Sequence, residues 1–268
     1  MYGLQIAFKD FKATKGIWGS EWVGFEHFIR FFHSAQFWDI LLNTIILSLE
    51  SLIFGFFPPI ILALMLNQVE NQKFKKIVQG VTYAPHFIST VVMVSLLYCL
   101  LSTRNGIVNR IIEMFGGTAV PFMRDAEYFR GTYVVSGIWQ EMGFSAIIYI
   151  AALAGISAEL HEAAIIDGAS KIKQFFYITL PLVKNHLFIV VLMITNWTLQ
   201  DSESCYSLTK GGPGTATEMV AVRLFKDSFV YFEINTGAVI GIVLMCISII
   251  FAVIYYWLTK AKEMESYE

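Results

Sequence analysis

Charge is scarce in this chain. Of its 268 residues only 15% are Asp, Glu, Lys or Arg, and these nearly cancel to a formal net charge of −2. The cations are dispersed along the sequence rather than gathered into one stripe, which excludes the electrostatic footprint of a nucleic-acid binder. Cysteine is equally thin. Cys99 and Cys246 fall in apolar runs and Cys205 in a polar stretch, so neither a disulfide framework nor a metal-ligand spacing is present. No secretory leader is visible, because the short apolar stretch ending at Phe8 gives way at once to Lys9, Asp10 and Lys12. Tandem repeats and low-complexity stretches are also missing. Gly211-Gly212-Pro213-Gly214 lacks the terminal Lys and Ser or Thr that cradle a nucleotide phosphate, so this chain is not expected to bind ATP itself. His161-Glu162-Ala163-Ala164-Ile165 has an isoleucine where the zinc-protease pattern requires a second histidine. There is no Gly-x-Ser-x-Gly elbow, and neither His86 nor His186 has an acidic neighbour in sequence. Catalytic and metal-ligating residues are therefore not assigned.

What the chain has is grease. With 56% hydrophobic side chains it is too apolar for a soluble domain of this length, and a bilayer is its natural solvent. Apolar runs long enough to cross about 30 Å of hydrocarbon predict an all-α membrane protein with at least five transmembrane helices. They lie at about residues 40–66, 77–101, 132–155, 182–199 and 234–259, within a transmembrane domain spanning 39–259. Residues 1–38 form an N-terminal external or interfacial segment and 260–268 a tail. Pro58-Pro59 removes two backbone donors and predicts a kink or break in the first span. Raw Lys and Arg counts favour the opposite orientation, but pooled density per residue places the 67–76 loop, the 157–181 segment and the tail inside the cell. Residues 9–38, 102–131 and 200–233 are then outside, and a short amphipathic helix is expected around 218–229.

The third and fourth spans are joined by a polar interruption, residues 157–181. Ser157 is placed to cap a helix whose first turn carries Glu159 and Glu162, acids that the helix dipole favours there, and Gly168 offers a left-handed stop. Ser170 is placed to cap a second helix from Lys171 to Ile178, and Pro181 to open the next span. Glu162-Ala163-Ala164, three residues, Gly168, nine residues, Ile178, one residue, Leu180-Pro181: this spacing resembles the cytoplasmic coupling motif of permease subunits of ATP-binding-cassette importers, and every motif position is filled. Leu208-Thr209-Lys210-Gly211-Gly212-Pro213 with Thr217, and the opening Tyr2 to Phe11, are similar to segments of carbohydrate-importing permeases of the maltose-type superfamily, the opening to its oligosaccharide branch.

That resemblance implies an importer type I permease fold in a bacterial cytoplasmic (inner) membrane, with a further transmembrane helix ahead of Tyr2. It implies a second homologous permease, two ATPase subunits that bind ATP and Mg, an external solute-binding protein, and surrounding lipid. ATPase coupling is implied for Glu159, Glu162, Ala163, Ala164, Asp167, Gly168, Ile178, Leu180 and Pro181. Gap-free spacing from the motif brings Glu141, Phe144, Trp197, Thr198 and Asp201 onto sugar-contacting positions of the family, with Trp139 and Gln140 beside them. Aromatic faces with hydrogen-bonding groups suit a saccharide, whose rings offer C–H faces rimmed by hydroxyls. Glu141 and Asp201 would repel an acidic sugar unless cations compensate, so charge alone favours a neutral substrate. The rival reading is a secondary transporter or channel for a small polar solute, which predicts inverted repeats and has no use for a coupling helix.

Overall fold

The computed structural model describes residues 2–209 and 217–265, so the Gly211-Gly212-Pro213 loop lies outside the described residues. Apart from a two-stranded hairpin, Lys9–Asp10 (β1) against Glu21–Trp22 (β2), the regular structure described is helical. Two short helices, Gly16–Gly19 (α1) and Glu26–Phe32 (α2), lead into the 32-residue Phe37–Gln68 (α3). Then follow Gln72–Tyr83 (α4), Thr90–Leu101 (α5), Ile107–Met114 (α6) and Ala126–Ala154 (α7). Ala158–Ile166 (α8), Lys171–Gln174 (α9), Leu180–Gln200 (α10), Glu203–Thr209 (α11), Val220–Phe225 (α12) and Ile234–Glu265 (α13) complete the order.

Three described helices, α3, α7 and α13, are long and apolar enough to cross a membrane. A bent pair comes from the expected span at 77–101, which is not one helix: α4 and the 3-10 turn Ala84–Phe87 meet α5 at 104° across a short break. Pro85 lacks the donor that would continue α4; Ala84 before it stays helical at φ −54° and ψ −41°, the chain tightens into the 3-10 turn, and Ile88 ends it in extended conformation. By contrast α3 is one helix through Pro58-Pro59, so the break that was one of the two expected outcomes there does not occur. A stretch with mean hydropathy 2.1, charged only at Glu50, keeps it in helix at the cost of the donors for the carbonyls one turn back. The third span begins six residues before its expected start, at Ala126, and α10 covers its expected range.

The chain divides into two compact units. One comprises residues 1–49, 90–133 and 196–268, the other 50–89 and 134–195, and α3, α7 and α10 run from one into the other. In the first unit the N-terminal turn Tyr2–Phe8 and α2 pack on α13, burying Ala7, Phe28, Phe31, Ile40, Val239 and Ile240. Thr44 Oγ1 accepts the Val220 backbone N–H at 2.8 Å and so receives α12. Second-unit packing centres on Ala63, Ala146, Tyr149 and Val190, contributed by α3, α7 and α10.

Candidate functional site

The polar interruption folds as its residues dictate. Ser157 is the N-cap of α8, its hydroxyl accepting the Glu159 N–H at 3.3 Å. At the other end Gly168 sits at φ +72°, where a side chain is strained. Ala169 N–H donates to Ala164 O at 2.8 Å and Gly168 N–H to Ile165 O at 3.0 Å, the paired bonds of a Schellman stop. Ser170 caps α9, yet the second helix does not end at Ile178: a π-turn, Phe175–Thr179, carries α9 into α10 without a gap. Pro181 has no donor for the carbonyl of Tyr177, and the chain widens by one residue just before it rather than breaking.

Buried Gln174 ties these pieces together. Its carbonyl lies 3.2 Å from His161 Nδ1 on α8, and its amide donates to Ala169 O at 2.9 Å. Lys171 Nζ donates to Gln68 Oε1 at the end of α3 at 3.0 Å. The segment is thus fixed from behind, while Glu159, Glu162, Ala163, Ile165, Ile166, Asp167 and Tyr177 are exposed; Ala164 and Ile178 are half-buried, Leu180 begins α10 and Pro181 is exposed in its first turn.

The expected pathway residues fall into two groups, each with its own partners. In the second unit Glu141 faces His86, whose Nδ1 lies 3.0 and 3.1 Å from its two oxygens. With the carboxylate ionised, Nδ1 carries the proton and donates. Phe144 stacks on the same imidazole at 4.0 Å with planes 6° apart, and Gln140 donates to Ile88 O at 3.1 Å. Gly143 completes this contact, since a Cβ there would overlap the carbonyl of Thr82. Three side chains and one missing side chain on α7 therefore grip the bend between α4 and α5. In the first unit Asp201 accepts from Tyr133 Oη at 2.8 Å and from the Ser204 N–H at 2.9 Å. Thr198 is buried, whereas Trp139 and Trp197 are exposed.

His86 and Tyr133 were invisible in the sequence as partners, lying 55 and 68 residues from the acids they meet. The only local hint was Pro85, which marks the bend that turns His86 toward α7. Beyond the spans, burial pushes the Cys205 thiol well up, Asp201 adding to the effect. Burial also raises the Asp227 carboxyl against the opposing pull of Arg223, whose Nε lies 2.9 and 3.0 Å from its two oxygens.

Residues 39–263 match the family described as binding-protein-dependent transport system inner membrane component. The chain belongs to this family. It is a transport subunit of the inner membrane, not an enzyme. Over 232 residues it is 41% identical to the polygalacturonan/rhamnogalacturonan transport system permease protein YteP of Bacillus subtilis (strain 168), covering 86% of this chain and 70% of that one. Its fold superposes on a chain of a bacterial ABC transporter involved in the import of the acidic polysaccharide alginate. That match has a TM-score of 0.87 at 32% identity and covers 97% of this chain and 87% of the other. A second crystal structure, the alginate ABC transporter in complex with an alginate pentasaccharide-bound periplasmic protein, gives 0.84 at 32% identity over 94% and 84%. This permease therefore has the importer type I fold.

Proposed function

We propose that this permease forms half of the translocation pathway for an oligosaccharide and that α8 couples it to a cytoplasmic ATPase subunit. The observation that carries the coupling role is the build of residues 157–181: a nine-residue helix capped at both ends, anchored through Gln174 and Lys171, with Glu162, Ile165 and Ile166 turned outward. Such a helix supplies little to the fold and much to a partner's groove. On this reading closure of a nucleotide-loaded ATPase dimer displaces α8, and the spans follow as packed bodies that alternate access. ATP and Mg belong to the ATPase subunits.

The carbohydrate cargo is inferred from YteP and the alginate importer, and the same likeness supports a periplasmic binding protein and a second permease as partners. Residues 102–131 and 200–233 then face outward and the 67–76 loop inward. Glu141 is held by His86 and Asp201 by Tyr133 and Ser204, but these hydrogen bonds leave the negative charge of an ionised carboxylate in place, so an acidic sugar still needs cations elsewhere to compensate.

Glu162→Lys and Gly168→Asp test the coupling role in reconstituted complexes. Both are expected to leave insertion and assembly intact, abolish sugar uptake, and detach ATP hydrolysis from binding-protein stimulation. Wild-type uptake by either variant would refute it.

A further inference from the structure

Where α5 ends, the chain builds a cleft that the coupling and pathway residues leave unused. It is an open cleft of about 750 Å³, within the range of roughly 300–1,000 Å³ typical of small-molecule sites. One wall is the end of α5 with the turn Ser102–Asn105; the other is Met123–Arg124. Both walls are held by a single buried side chain. Asn109, 2% exposed, donates to Leu101 O, Ser102 O and Val120 O at 3.2, 3.2 and 3.0 Å and accepts the Val120 N–H at 2.8 Å. Gly106 tightens the same turn, since a Cβ there would strike the Ser102 and Leu100 carbonyls.

That investment in rigidity presents two guanidinium groups. Arg104 and Arg124 both line the cleft and both are exposed; among the described residues neither has an acidic partner, and no acidic residue lines the cleft. An unpaired arginine on a fixed wall is a ready fork for a carboxylate. Tyr98 contributes its ring, because its hydroxyl already donates to Leu208 O at 3.0 Å. Met123 adds apolar surface, and Ser102, Thr103 and Asn105 supply hydrogen-bonding groups at the rim. Apolar ring faces, hydroxyl-binding groups and two cations together suit a uronic-acid oligomer.

We infer that this cleft binds the carboxylates of an anionic oligosaccharide through Arg104 and Arg124, an inference that rests on the oligosaccharide reading and narrows its substrate class. On the proposed orientation the cleft faces outward, where cargo arrives. Its concavity and sugar-sized volume favour a sugar over the acidic surface of a docked protein.

The test uses the whole importer in nanodiscs, without binding protein. Phenylglyoxal modification of Arg104 and Arg124 is followed by mass spectrometry with trigalacturonate or with neutral maltotriose. Trigalacturonate is expected to slow modification of both arginines severalfold while maltotriose leaves them unchanged and Arg110 reacts at one rate throughout. No protection, or equal protection by both sugars, would overturn the site. So would protection by sugar-free binding protein alone, which would make the cleft a protein-docking face. In uptake assays Arg104→Gln with Arg124→Gln is expected to raise the KM for trigalacturonate about tenfold or more, the factor that loss of charge-assisted hydrogen bonds carries; an unchanged KM counts against it. If no oligosaccharide is transported while trigalacturonate still protects, the transport reading fails and the site stands.

Discussion

His86 and Glu141 show how a residue's chemistry depends on a partner far along the chain. A carboxylate within a span is costly unless something answers it, so Glu141 was legible from sequence as a residue with a task. Its partner was not, because the contact exists only once the second span bends. Removing the histidine should expose the cost. His86→Ala is expected to lower the thermal midpoint of the purified complex, with a penalty on the order of 2 kcal/mol for a stranded acid. His86→Ala with Glu141→Gln should recover most of it, since a neutral amide is cheaper to leave unanswered. Equal midpoints for the single and double variants would mean that the pair contributes only geometry. Asn109 was equally illegible, an ordinary amide in sequence and a four-bond staple in the fold.

Elements were legible in proportion to how local their signals are. The caps of α8 follow from Ser157 and Gly168, residues whose roles need no tertiary context, and both stand where the spacing predicts. Pro58-Pro59 and Pro85 carry the same local signal, yet α3 remains one helix in its apolar environment, while past Pro85 the chain breaks at Ile88, whose carbonyl takes a hydrogen bond from Gln140 on α7. Glycines on α7 offer a direct check of that grip. Gly143→Ala places a methyl against the Thr82 carbonyl and is expected to cost about 1–3 kcal/mol, read as a lower thermal midpoint. Gly137→Ala, on the same helix with nothing within 4 Å of the added Cβ, is expected to be neutral or mildly stabilising. Similar losses for both would locate the effect in the helix itself and not in the contact.

For the molecule as a whole, the family was readable because seven spaced positions in one polar segment say what the apolar remainder cannot. Hydrophobic spans look alike across transporters, so composition gave a membrane protein, and the interruption, with the opening and the Gly-Gly-Pro stretch beside it, gave an importer permease. What the segment omitted was how force would enter. Gly155, Ile156 and Ser157 separate α7 from α8, whereas α9, the π-turn and α10 form one unbroken rod from Lys171 to Gln200.

If α8 has the proposed coupling role, such a rod would carry torque as well as push, with α7 as a tether. The phase of the rod then matters as much as its length. One alanine inserted between Thr179 and Leu180 would rotate everything beyond it by about 100° relative to the Lys171 end while extending it by only about 1.5 Å. Uptake is expected to vanish in that variant, and to return in part when a four-residue insertion brings the two ends back within about 40° of their native phase. A permease that read displacement alone would tolerate the first change and suffer from the second, so the pair of insertions distinguishes a crankshaft from a piston.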